Sequence, residues 1–123
     1  MATGLENLKI YQMAEKLELE VYEITKYFPI DEKYRSVDQL RRSSNSVSNN
    51  IAEAYNKISL KEKIRILNDI AKSEAEETKR GLLRAAKRGL INKSILLNNL
   101  AEKYTELIKA ISGYIKFLKN QTR

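Results

Sequence analysis

Apolar residues recur in steps of three and four along almost the whole chain, and that periodicity leaves few folds open. They fall at Ile10, Ala14, Leu17, Val21, Ile24 and Phe28, and again at Val37, Leu40, Val47, Ile51, Ala54 and Ile58 with Ser44 on the same line. A third set runs through Ile64, Leu67, Ala71, Thr78, Leu82 and Ala85, and a fourth through Leu97, Leu100, Tyr104, Leu107, Ile111, Tyr114 and Leu118. An α-helix turns once in about 3.6 residues, so each set draws a stripe down one side of a helix. Four such helices bury their stripes by packing on one another. The pattern predicts an all-α fold, an up-down-up-down antiparallel four-helix bundle.

The breaks between stripes place the helices at about 4–28, 32–57, 60–88 and 93–119, in a single domain over residues 1–123. Thr3 with Glu6, and Ser59 with Glu62, have the spacing of a capping box, in which hydroxyl and carboxylate satisfy the free N–H groups of a first turn. Phe28-Pro29 stops the first helix, because proline disfavours helical geometry in the residue before it. Asp31 is placed to cap the second helix and Asn92 the fourth, while Gly89 can take the left-handed conformation that closes the third. The third stripe is built on small residues, Ala71, Ala75, Ala85 and Ala86, so that helix can approach a neighbour closely. Outside the stripes lie Leu8, Leu19, Tyr22, Ile66, Ile70, Leu96, Ile108 and Ile115, which fit either a wide core stripe or a contact between subunits.

Composition excludes most catalysts. The 123 residues include no cysteine and no histidine, which removes thiol nucleophiles, imidazole bases, disulfides and nearly every transition-metal site built on N or S ligands. Glu74, Glu76 and Glu77, with Asp69 or Glu53 within reach, are the densest carboxylates, and they read as a salt-bridging surface rather than a metal site. No catalytic residue, metal or cofactor is expected. The opening MATGLENLKIYQ lacks a basic segment followed by an apolar one, and no apolar run approaches the ~18 residues of a membrane span. A cytoplasmic protein without a membrane partner is the expectation.

Charge is distributed unevenly. Of the net +7, residues 1–32 contribute −4, leaving +11 on the rest. The densest stretch is KRGLLRAAKRGLINK at 79–93, six cations without an acid. Arg80, Arg84, Lys87 and Arg88 follow helical spacing, and Lys93 comes on the following turn. Cations at a helix C-terminus favour its dipole and keep it soluble; they also attract nucleic acid by releasing its counterions. The second reading makes Arg80, Arg84, Lys87, Arg88 and Lys93 a phosphate-contacting surface, with Arg41 and Arg42 as a weaker second site. The stretch contains no aromatic residue on which a base could stack.

The least helix-like part of the second helix is QLRRSSNSVSNNIAEAY, residues 39–55, with five serines and asparagines in the six positions 43–48. Such side chains bond to the backbone locally and weaken a helix interior, so they require a tertiary or functional reason. One reading is close helix packing, in which small polar groups bond to each other and to neighbours. The other is an RNA-facing strip built on Arg41, Arg42 and Asn49. On the first reading Gln39, Ser46, Asn50 and Glu53 bond between helices or subunits, and Asn50→Ala costs about 1–3 kcal/mol.

The segments YEITKYFP, QLRRSSNSVSNNIAEAY and IAKSEAEETKRGLLRAAKRGLI are similar to signature blocks of the bacterial four-helix-bundle family encoded in intervening sequences of 23S ribosomal RNA genes. Relatives of that family include accessory proteins of diversity-generating retroelements. The matching positions are Gln39, Arg41, Arg42, Ser46, Asn50, Ile51, Ala52 and Glu53 in the central block, and Ile70, Ala71, Ser73, Glu76 and Thr78 in the later one. Ser48 stands where the family usually has proline, and Ala54 and Lys72 where it usually has glycine. The resemblance implies a non-enzymatic bundle that assembles as a homopentameric ring. It also implies a nucleic-acid partner, RNA above all, either beside ribosomal RNA or with a retroelement reverse transcriptase. A protein-only scaffold is the competing class.

Overall fold

The computed structural model describes residues 4–121, and helix is the only regular structure among them. A 3₁₀ turn, Gly4–Asn7, leads into α1, Lys9–Thr25. A 3₁₀ turn at Ile30–Glu32 and a π turn at Lys33–Val37 then wind into α2, Asp38–Asn56. The third rod is one continuous right-handed path made of α3, Leu60–Arg65, a π segment, Ile66–Ala71, and α4, Lys72–Arg88. The fourth is α5, Ser94–Asn120. In this helical bundle α1 packs on α2 and α5, and α4 packs on the same two.

The ends of the rods follow from where their backbone groups find partners. α1 ends at Thr25 rather than running to Phe28. The N–H groups of Lys26, Tyr27 and Phe28 bond three residues back, tightening the chain before Pro29, and Phe28 turns inward to plug the core. Asp31 caps nothing: it lies within the 3₁₀ turn, and α2 starts later, without a side-chain cap. Ser59 does cap α3, its Oγ accepting the Glu62 N–H at 3.3 Å. The Thr3 cap lies outside the described residues. Gly89 has φ 66° and ψ 39°; its N–H bonds to Ala86 O and the Leu90 N–H to Ala85 O, which closes α4. Asn92 does not cap α5, whose N-cap position is Lys93; Ser94 instead donates to Ala86 O at 3.2 Å and satisfies the end of α4.

The stripes form the core, with three departures. Ile66 and Ile115 are buried, so they belong to the core and not to an outer face. The π segment widens the helix by a residue per turn, which lets Ile66 and Leu67 both face inward. Ile58 is fully exposed, because the backbone turns extended at Lys57 and carries it off α2. The small residues of α4 act as their size predicts. A Cβ on Gly81 would stand 2.8 Å from Leu40 Cδ2, closer than packed carbons come, so α2 and α4 approach each other at that point. Leu19, Tyr22 and Leu96 remain exposed, whereas Leu8, Ile70 and Ile108 are half-buried.

Candidate nucleic-acid interface

The cations expected to form one surface divide by the acids that the fold brings to them. Arg80, Arg84 and Lys87 lie at helical spacing on α4, all exposed, and none of the three forms an ion pair among the described residues. Three like charges on one face of α4 raise the local potential for an anion. Arg88 differs from these three. Its guanidinium grips Glu32 with two bonds, Nη2 to Oε2 at 2.8 Å and Nη1 to Oε1 at 3.0 Å, and it also donates to Ser36 Oγ at 3.2 Å. Glu32 is buried, and Arg88 together with the Ser36 hydroxyl holds its carboxyl down at about 2. Arg88 therefore ties the end of α4 to the turns before α2, its guanidinium engaged by Glu32 and Ser36. Lys93 separates from the patch as well: it lines a groove between α1 and α5, away from the α2 side of α4.

The second candidate site is likewise taken up by the fold. Arg41 Nε donates to Thr25 Oγ1 at 2.9 Å, Nη2 donates to Tyr22 O at 3.3 Å, and the guanidinium lies 4.2 Å from the Tyr22 ring centroid. Arg41 thus satisfies the carbonyl end of α1, the role a cation favours there. Arg42 is exposed and lies 3.4 Å from Asp38 one turn earlier.

The serine-asparagine strip serves as a seam. On one side Asn45 Nδ2 donates to Glu18 Oε2 at 2.7 Å and Ser48 Oγ to Glu18 Oε1 at 2.6 Å, so one carboxylate of α1 collects both. Asn49 Nδ2 supports this by donating to Asn45 Oδ1 at 2.9 Å. On the other side the buried Ser43 Oγ lies 2.8 Å from Thr78 Oγ1 of α4. Ser44 bonds back to Arg41 O within its own helix. Ser46, Asn50 and Glu53, expected to bond between helices or subunits, bond within α2 in the single chain. Asn50 bonds only to Ser46, at the carbonyl O (2.8 Å) and Oγ (3.0 Å), and the exposed Glu53 pairs with Lys57 one turn on, at 3.8 Å. Glu53 is exposed and Asn50 half-buried. Gln39 does cross, to Glu77 at 3.4 Å. Ile51 is fully buried, Ala52 and Glu76 are half-buried, and Ser73 is exposed.

The decisive partners, Glu32, Glu18 and Thr25, carry no local signal in the sequence, since each is an ordinary residue made important by a helix distant along the chain. The carboxylates of α4 do not gather: among the described residues no three acids come together as metal ligands. Burial and the neighbouring Glu77 push the Glu74 carboxyl up. No helix among the described residues is long and apolar enough to cross a membrane.

Surface depressions lie beside these residues. A cleft of about 250 Å³ between the turn before α2 and α4 is lined by Arg35, Gln39, Glu77, Gly81 and Arg84. An open groove of about 1220 Å³ runs between α1 and α5, with Leu19, Tyr27 and Leu96 on its apolar wall.

The family model described as 23S rRNA-intervening sequence protein matches residues 6–113. No curated protein matches the chain. Among solved structures it is similar to a protein of unknown function from the S23 ribosomal protein family of Bacteroides thetaiotaomicron. The TM-score is 0.76 and the identity 25%, with 87% of this chain and 98% of that one covered. With the matched span taking in all of α1–α4 and most of α5, the chain belongs to the 23S rRNA-intervening sequence protein family.

Proposed function

We propose that this protein is a non-enzymatic oligomer that binds RNA through phosphate contacts from α4. The observation that carries the reading is that Arg80, Arg84 and Lys87 form no ion pair among the described residues, whereas Arg41, Arg42 and Arg88 each meet a partner. A fold leaves like charges together unneutralised at a cost in repulsion, which a polyanion removes. The family's association with ribosomal RNA genes agrees with an RNA partner. The short connections support an up-down-up-down course for the rods. The apolar wall of the α1–α5 groove supports assembly of copies into a closed ring, five in number as the resemblance implies. Repetition of a weak site around a ring would raise affinity through avidity. The same groove favours a second reading, a scaffold that binds protein alone or serves a reverse transcriptase as accessory subunit.

The test is a salt titration of binding to structured RNA, comparing the wild-type protein with the Arg80→Glu, Arg84→Glu, Lys87→Glu triple variant, with light scattering on both. The expected result is affinity that falls linearly with salt on logarithmic axes, and binding weakened by at least about tenfold in the variant at unchanged oligomeric mass. Equal binding and equal slope would pass the function to the scaffold reading, and a monomeric mass at micromolar concentration would remove the ring.

A further inference from the structure

The cleft between α4 and the turns before α2 gathers charge that the fold does not neutralise. Arg84 lines it from α4 and Arg35 from the π turn Lys33–Val37, both exposed, and neither guanidinium forms a hydrogen bond or an ion pair among the described residues. Leu40, Gly81 and Ala85 supply the apolar part of the lining. Each end of the cleft is closed by a bond between its two walls. Gln39 Nε2 donates to Glu77 Oε2 at 3.4 Å, and about three turns further along α4 Arg88 Nη1 donates to Ser36 Oγ at 3.2 Å. Two unmatched positive charges thus share a space of about 250 Å³, while the acids nearby are engaged, Glu77 by Gln39 and Glu32 by Arg88. Glu77 also stands two turns before Arg84, about 10 Å along the helix axis.

We propose that this cleft takes a phosphomonoester, the 5′-terminal phosphate of an RNA strand, between the guanidinium groups of Arg35 and Arg84. The inference rests on the RNA-binding reading and adds which part of the RNA is held. A guanidinium presents N–H donors in a plane that matches phosphate oxygens, and two of them on facing walls can grip one phosphate. Charge selects the terminus: a phosphomonoester carries about −1.5 to −2 at pH 7, where a backbone diester carries about −1, so the end group matches two cations in one confined space. Shape selects it as well. With both ends shut by the Gln39–Glu77 and Arg88–Ser36 bonds, a strand cannot run lengthwise through the cleft, whereas a strand end can enter it. The Glu77 carboxylate repels an anion at its own end, which leaves the Arg35–Arg84 side as the seat. Arg80 and Lys87, outside the cleft lining, are left to the backbone phosphates that follow.

The experiment measures fluorescence anisotropy of a 3′-labelled oligouridylate that bears either a 5′-phosphate or a 5′-hydroxyl, using the full chain and its Arg35→Ala, Arg84→Ala and Arg80→Ala variants, with uridine 5′-monophosphate as competitor. The phosphorylated strand is expected to bind about tenfold tighter than the hydroxyl strand. Arg35→Ala and Arg84→Ala should each abolish that ratio, whereas Arg80→Ala should weaken both strands alike and keep it. Uridine monophosphate should displace the phosphorylated strand only far above the strand's own concentration, because it lacks the backbone contacts of α4. Equal binding of the two strands, or a ratio that survives Arg35→Ala, would overturn the cleft assignment and leave backbone binding by α4 in place. The monophosphate competing as well as the strand would overturn it by making a free nucleotide the ligand. A fall in oligomeric mass with Arg35→Ala would overturn it by assigning the cleft to a carboxylate of a neighbouring copy. If neither strand binds at low salt, the RNA reading itself falls, and the cleft assignment with it.

Discussion

The polar stretch of α2 and the cationic stretch of α4 look alike in kind, each a cluster of hydrogen-bonding side chains on a helix that does not need them locally, yet the fold treats them in opposite ways. On α2, Asn45 and Ser48 are drawn onto Glu18, Ser43 onto Thr78, and Arg41 onto the end of α1. On α4, Arg88 is taken by a buried acid, whereas Arg80, Arg84 and Lys87 are left to solvent. Polarity therefore marks neither stretch as functional. What separates them is whether a distant helix supplies a partner, since buried polar groups must be satisfied and exposed ones need not be.

The contrast can be broken most severely at the α2–α4 seam. Ser43→Leu would force added volume into the buried seam between α2 and α4 and strip Thr78 of its cross-helix bond, leaving it only the bond to Glu74 O within α4. We expect a loss of about 3 kcal/mol in denaturant unfolding, with RNA affinity per folded molecule retained. A stable Ser43→Leu protein would show that small size at this position is not required. On the α1 side, Glu18→Ala removes the common acceptor of Asn45 and Ser48 and should cost about 2 kcal/mol without changing RNA binding. RNA binding lost at unchanged stability would return the strip to the functional reading.

The Glu32–Arg88 tie gives a pH dependence. The folded-state carboxyl is depressed to about 2, below its ordinary value near 4.5, so the unfolded chain binds the proton more readily. The stability it contributes is complete above the ordinary value and is lost as pH falls from there through about 2. Arg88→Met should flatten that limb of an acid titration followed by circular dichroism, and an unchanged limb would show that other carboxyls govern it. The smallest effect is at Asn50. Its bonds stay within one turn of α2, so Asn50→Ala should cost less than about 1 kcal/mol, below the range that a cross-helix role predicts. A loss above about 2 kcal/mol would mean that Asn50 meets a partner in the assembled protein.

Much of the fold was legible in the sequence because the information is local and periodic. A 3.6-residue apolar repeat identifies four helices and most of their core, from Ile10 to Leu118, and Gly89 or Ser59 marks an end through its own backbone preference. The misplaced ends were at Asp31, which fell in a 3₁₀ turn leading into a π turn, and at Asn92, which fell in the bend before α5; neither helix start that follows carries a side-chain cap. The fate of each charge could not be read this way. Arg88 and Arg84 are alike in the sequence, four residues apart on one helix, and differ only because Glu32, 56 residues from Arg88, folds against one of them. Periodicity fixes which side of a helix faces the core. Pairing between helices depends on distances of a few ångströms, and those exist only once the chain has packed.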